Sequence, residues 1–347
     1  AAATLGSNTT GTNNVAVGGG ALHSNTTASN NTAMGYRSLK VNTTGHSNVA
    51  LGVEALDANT TATYNTGLGF RTLSDNTTGA SNVAVGAGAL KTNTTASNNT
   101  AVGYDALFAN TTGDGNVAVG VQALGANTTS AGNTALGYGA ARTTTTGASN
   151  TAVGYLSLKQ NTTGHSNVSV GFTALQENTT GANNTSVGFQ SGLANTTGSS
   201  NTSLGHNSLI SNTTASFNTA FGRSALQANT TGAENTATGY NSQLSTTTGN
   251  YNTSNGSGSL AVNTTGSSNV AIGLNALVAN TTASNNTAVG TFALTANTTA
   301  PDNTAIGSNT LQANTTGEEN TAIGKFALYA NTTANANTAV GKASLKD

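Results

Sequence analysis

Cysteine and tryptophan are absent from this chain of 347 residues, proline and methionine occur once each, and only 6% of the residues are charged. Without cysteine there is no disulfide framework, so the fold does not depend on the redox state of its compartment. Ten basic and eleven acidic side chains leave a net charge of −1. That balance excludes the basic stripe that nucleic acid requires and the polybasic segment that holds a protein to an anionic membrane. No run approaches the roughly eighteen apolar residues of a spanning helix, and Ala1-Ala2-Ala3-Thr4-Leu5 lacks the basic and apolar regions of a signal peptide. With so few bulky residues the expected core is thin and built of Val, Leu, Ile and Ala.

What is present is one unit, repeated. From Asn14 every seventeenth residue is Asn, through Asn31, Asn48 and Asn65 to Asn337, which makes twenty starts with no insertion or deletion. A fixed short period marks a stacked solenoid, whose units are too small to bury their own apolar faces. Counted from that Asn, position 5 is always Gly (Gly18 to Gly341) and positions 13 and 14 are Thr (Thr26, Thr27). Position 9 is Leu except at Ala141, Gly192 and Gln243; position 4 is apolar except at Thr238 and Asn255; positions 3 and 8 are small. Every charged residue falls at position 6, 7, 10, 11, 16 or 17, as Arg37, Glu54, Lys91, Glu177 and Glu319 illustrate, and the four His follow suit. Three outward pairs thus alternate with three fixed stretches, the pattern of a coil with three faces and three corners.

Gly, Asn and Thr are poor helix formers, and Asn-(Val/Thr)-Ala-(Val/Ile/Leu)-Gly alternates with the period of a half-buried strand. The expected fold is all-β: a parallel β-solenoid, one coil per repeat and about twenty coils, forming one continuous domain over residues 1–347. With strands about 4.8 Å apart it would be a rod roughly 100 Å long, laced by Asn, Thr and Val ladders. At Gly192 and Gln243 the Leu stands one place later, as Leu193 and Leu244, which implies a locally shifted turn. The stretch 236–259 is expected to be the weakest. The final Leu345-Lys346-Asp347 is in register and uncapped, so the chain is expected either to belong to a longer protein or to stack on other copies.

Candidate chemistry is sparse. Asp105 and Asp114 fall at positions 7 and 16, Glu318-Glu319 is the one acidic pair, and no unit carries a recurrent Asp for calcium, so no catalytic, cofactor or metal-binding residue is assigned. Asn-Thr-Thr fits the glycosylation pattern in eighteen of twenty units, Thr144 and Thr246 being the exceptions. The preferred reading is a hydrogen-bonded corner ladder. Eight of the sixteen Tyr and Phe stand at position 6: Tyr36, Phe70, Tyr104, Tyr138, Tyr155, Phe172, Phe189 and Tyr240. Such a line either packs against a partner chain or binds sugar. The paired Thr columns resemble the ice-binding face of several antifreeze solenoids, and Asn-x-Val-x-Gly also occurs in a plant ice-binding protein.

The unit as a whole resembles repeats of phage tail-fibre-like and bacterial surface proteins. Its Asn269-Val270-Ala271-Ile272-Gly273 resembles the head repeat of YadA-type trimeric autotransporter adhesins. The resemblance implies an extracellular, cell-surface or virion rod, a structural fibre or adhesin-like shaft without catalytic activity or cofactor. Its implied partners are further copies of the chain, as a trimer or a head-to-tail filament, and a cell-surface or carbohydrate receptor. Neither nucleic acid nor membrane insertion is expected. The alternative is an ice-binding or carbohydrate-binding solenoid module.

Overall fold

The computed structural model describes residues 3–347, which are all-β, with no helix among them and hence none long and apolar enough to cross a membrane. The chain groups into two compact units, Ala1–Thr173 and Ala174–Asp347. Each is a parallel β-solenoid. The first holds ten three-residue strands, β1 (Val15–Val17) to β10 (Val168–Val170), and the second ten more, β11 (Thr185–Val187) to β20 (Thr338–Val340). Within each unit a strand pairs in parallel with the strand seventeen residues on, as Val15 with Thr32 and Ala16 with Ala33, or Thr304 with Thr321 and Ala305 with Ala322.

The strand occupies positions 2 to 4, where β-branched Val and Thr favour extended backbone. Gly at position 5 ends it. At Gly52, φ is 144°, and a Cβ there would lie 2.2 Å from the carbonyl oxygen of Gly69 in the next coil. Neither the angle nor the space admits another residue. The rest of the coil is turns rather than two further strand faces, and residues at positions 7, 9 and 17 take left-handed backbone, as do Glu54, Leu56 and Tyr64. Such angles cost on the order of 1–2 kcal/mol per residue. Each is held by a bond to a neighbouring coil: Leu56 N–H donates to Thr72 O (3.0 Å), Glu54 N–H to Tyr36 O (2.9 Å) and Tyr64 N–H to His46 O (3.3 Å).

Two asparagines per coil anchor the interior. Asn42, at position 12, donates from Nδ2 to Asn25 Oδ1 of the coil before (3.0 Å) and to Gly45 O (2.9 Å). Asn31, at position 1, donates from Nδ2 to the same Gly45 O (2.9 Å), and its Oδ1 accepts from the backbone N–H of Asn48 (3.0 Å). The second unit repeats this, Asn280 and Asn269 both donating to Ala283 O. Where position 12 is Thr, the hydroxyl replaces the amide as acceptor: Asn161 donates to Thr144 Oγ1 (3.5 Å) and Asn263 to Thr246 Oγ1 (3.4 Å).

Three expectations change. Val and Ile are not in the core, which consists of Leu at position 9, Ala at positions 3 and 8, and the two asparagines; Leu56 sits 3.6 Å from where a Cβ on Gly67 of the next strand would be. The alternation of positions 1 to 4 holds, but its large side chains face outward. Second, Leu193 and Leu244 do not shift inward. Gly192 N–H donates to Ser208 O and Gln243 N–H to Ser259 O, the bonds that Leu makes elsewhere, so Gly192 and Gln243 occupy the core and both leucines stay half-exposed. Third, of the three fixed stretches only positions 2 to 4 form a strand, and the other two are turns.

The interior of 236–259 is polar. Gln243 Nε2 donates to Thr236 O and Ser254 Oγ (both 2.9 Å), while its buried Oε1 has no partner. Gln243→Leu, which removes that orphan and restores the repeat, is expected to raise unfolding free energy by about 1 kcal/mol in chemical denaturation. Asn42→Ala, which breaks its two donations and the one it accepts from Asn59, is expected to cost about 2–4 kcal/mol. Thr44→Ala, at the exposed end of the same tripeptide, should change stability by less than about 0.5 kcal/mol.

Candidate interaction surfaces

The outward side of the strands is a regular surface in each unit. Positions 2 and 4 both face out, so columns of Val or Thr run beside columns of Val, Leu, Ile, Met or Phe; Val17 and Phe221 are each 52% exposed. Sequence reasoning missed this face because period-two alternation identifies two sides without saying which is inside. A signal was available: positions 3 and 8 tolerate only small residues, whereas position 4 runs from Val to Phe, Thr238 and Asn255, a latitude that close packing inside a stacked coil forbids.

The position 6 rings behave otherwise. Tyr138 lies on Tyr155 (centroids 5.4 Å, interplanar 13°), Tyr155 on Phe172 (5.3 Å, 10°), and Phe189 on His206 (4.9 Å, 13°). Stacked along the coil axis, they turn faces to each other and edges to solvent. A sugar needs a free ring face, so this column is poorly suited to one. Others are covered by cations, Arg71 lying 5.1 Å from the Phe70 centroid and Arg223 5.8 Å from that of Tyr240.

The asparagines of the Asn-Thr-Thr tripeptides are buried along the interior, Asn42, Asn59 and Asn110 being fully so. Both amide hydrogens are committed, at Asn59 to Asn42 Oδ1 (2.9 Å) and Ala62 O (3.2 Å). In the folded coil they offer no acceptor nitrogen for a glycan. The first Thr is also engaged, Thr43 Oγ1 donating to Thr60 O (3.1 Å), so the paired Thr columns expose one free hydroxyl rank rather than two.

Charge gathers at one corner. Glu54 accepts from Arg71 Nε (2.7 Å) and pairs with Arg37 at 3.6 Å, the only ion pairs among the described residues. The Arg71 hydrogen bond holds the Glu54 carboxyl below its ordinary value. Burial pushes that of Asp57 up, and its Oδ1 has no hydrogen-bond partner. Asp105 and Asp114 stay on different corners, and no group of His, Asp and Glu that could hold a metal occurs among the described residues. A groove of about 340 Å³ interrupts the surface over Gly125, walled by Phe108 and Arg142 and flanked by Asp105 and Gln122.

Neither protein-family models nor curated proteins match the chain. What its surfaces do must be argued from their chemistry.

The two carboxyls dictate opposite pH behaviour. Glu54, depressed in the fold, stabilises above its unfolded pKa of about 4.3, a contribution lost as pH falls through the lower folded value. Asp57, raised in the fold, disfavours folding once pH climbs above its unfolded value of about 3.9. Thermal unfolding should therefore find Asp57→Asn more stable than wild type at pH 7 by roughly 0.5 kcal/mol and equal to it near pH 3. Glu54→Gln should be less stable at pH 7, with the difference again vanishing in acid.

Proposed function

We propose that this chain is a structural segment of an extracellular fibre, on a cell surface or a virion, which associates side by side with copies of itself and performs no catalysis. The observation that carries this reading is the outward strand face. In the first unit ten coils about 4.8 Å apart, with a strip about 10 Å wide, make on the order of 400 Å² of largely apolar surface, a patch of the size that is often functional. In the second unit the apolar column is that of position 4, broken at Thr238 and Asn255. A second copy has the same rise per coil, so its columns fit the spaces between these. Interlocked asparagine ladders suit a load-bearing element, and few charged residues on a tightly bonded surface suit exposure to proteases. The scattered carboxylates support the absence of catalysis.

One observation favours a second reading. In the second unit position 2 is Thr in every strand but that of Val270, so Thr-x-Val, Thr-x-Ile and related pairs form a grid on a flat face. Such an array could order water, which suits ice binding on the strand face rather than on the paired Thr columns.

Sedimentation velocity over a range of concentrations separates the two. The fibre reading expects a concentration-dependent oligomer that Leu51→Lys with Leu68→Lys dissociates, and that Thr44→Lys, on another side of the coil, leaves intact. A chain that stays monomeric at every concentration, yet shows thermal hysteresis that Thr304→Lys abolishes, would replace it with the ice-binding reading.

A further inference from the structure

The groove over Gly125 breaks the repeat in a concerted way. Within the twenty repeats that start at Asn14, Gly125 is the only glycine at position 10, and Phe108, one coil earlier, is the only Phe there. Column 10 therefore reads Lys91, Phe108, Gly125, Arg142 over four successive coils, a side chain deleted between an aromatic wall and a guanidinium wall. The atoms nearest to a Cβ on Gly125 would be backbone, Gln122 O at 3.3 Å and Asp105 O at 3.8 Å, both at ordinary or nearly ordinary contact distance. In column 7, Asp105 Oδ1 lies over Gly88, 2.2 Å from where a Cβ would be. Only glycine at position 88 lets that carboxylate stand where it does. A smaller recess of about 160 Å³ lies on the other side of Phe108, which lines both, and Lys91 Nζ sits there 5.2 Å from the ring centroid.

Three polar side chains ring the larger groove: the Asp105 carboxylate, the Gln122 amide and the Arg142 guanidinium. Among the described residues none of them has a hydrogen bond or ion pair with another protein group, although Glu54 and the arginines beside it show that this corner forms pairs where it can. Partnerless carboxylate, amide and guanidinium groups around an aromatic ring are the set that recognises a pyranose. Vicinal hydroxyls bridge the carboxylate and amide, and the C–H face lies on the ring. From Phe108 to Arg142 is two coils, about 10 Å, room for one sugar ring and its substituents. The charges add a constraint. Asp105 Oδ1 leans over Gly88 on the Lys91 side of Phe108, so Arg142 is the groove's own cation with no carboxylate paired to it, and a guanidinium offers a carboxylate two parallel donors.

We propose that the groove formed by Phe108, Gly125 and Arg142 with Asp105 and Gln122 binds an acidic saccharide, one uronic acid residue per groove. The sugar carboxylate pairs with Arg142, hydroxyls meet Asp105 and Gln122, and the ring rests on Phe108. This site is separate from the strand face, so it does not depend on how the chain associates.

Isothermal titration of the full chain with trigalacturonate and with a glucuronate trisaccharide, against neutral maltotriose, tests the proposal. At least one acidic trisaccharide should bind saturably at one site per chain and maltotriose at least about tenfold more weakly. Arg142→Gln, Phe108→Ala and Gly125→Leu, which fills the groove, should each weaken binding about tenfold or more while circular dichroism stays unchanged; Tyr240→Ala should have no effect. No saturable binding by either acidic trisaccharide overturns the proposal. So does binding that maltotriose matches, or that survives all three groove substitutions.

Discussion

The structure depends on a carbonyl oxygen, that of position 15, which in most coils accepts from two buried asparagine amides at once; the coil of Asn99, whose Nδ2 has no partner, and those of Thr144 and Thr246 depart from it. At Gly45 these come from Asn31 and Asn42, one entering the coil and one leaving its far corner. A carbonyl has two lone pairs, and both are used. Each amide also reaches the coil before or after it, so the bonds close the coil on itself and tie it to its neighbours. Buried polar groups left unpaired are costly, which makes this arrangement strongly cooperative. Thr144 and Thr246 keep an acceptor where the amide is missing, but the lost donor is not replaced at Thr246, and Asn229 Oδ1 in the coil before it has no partner.

Filling the interior with asparagine has a consequence for the surface. Two amide ladders, one leucine and two alanines occupy the cross-section of a seventeen-residue coil, and no room remains for a second rank of large side chains. Val, Leu, Ile, Met and Phe at position 4 are accordingly displaced to the outside. The apolar strand face is thus a by-product of a polar core, the reverse of the usual globular arrangement. Association of that face with a second copy would bury the apolar surface that the coil itself cannot.

Strict spacing also makes departures informative. Where Gln243 or Gly192 replaces Leu, backbone register is unchanged and the neighbouring serines form hydrogen bonds in place of apolar contact, as between Ser191 and Ser203 (2.7 Å). Ladder bonds between coils thus fix the register more firmly than core packing does. Where Gly125 and Phe108 interrupt an outward column, Leu107 and Leu124 behind them stay fully buried. Those changes alter only the shape and chemistry of the surface.

Period, parallel strands, the mandatory glycine, the outward charges and the corner role of Asn-Thr-Thr were all legible in the chain, because stacking places every equivalent residue in one environment and the repeat averages away local exceptions. Which side of the strand is inside does not follow from the alternation, which is symmetric between its two faces; only the small residues at positions 3 and 8, set against the latitude of position 4, mark it. The stacking of the position 6 rings on one another was not legible, nor was the groove over Gly125, which joins residues from three coils. The sequence by itself determined the coil, since a seventeen-residue period with one obligatory glycine, one obligatory asparagine and a second asparagine replaced only at Thr144 and Thr246 closes in few ways. Only the tertiary structure decided what that coil hides and what it offers, because this turns on how much volume two amide ladders leave inside, and no single unit contains that quantity.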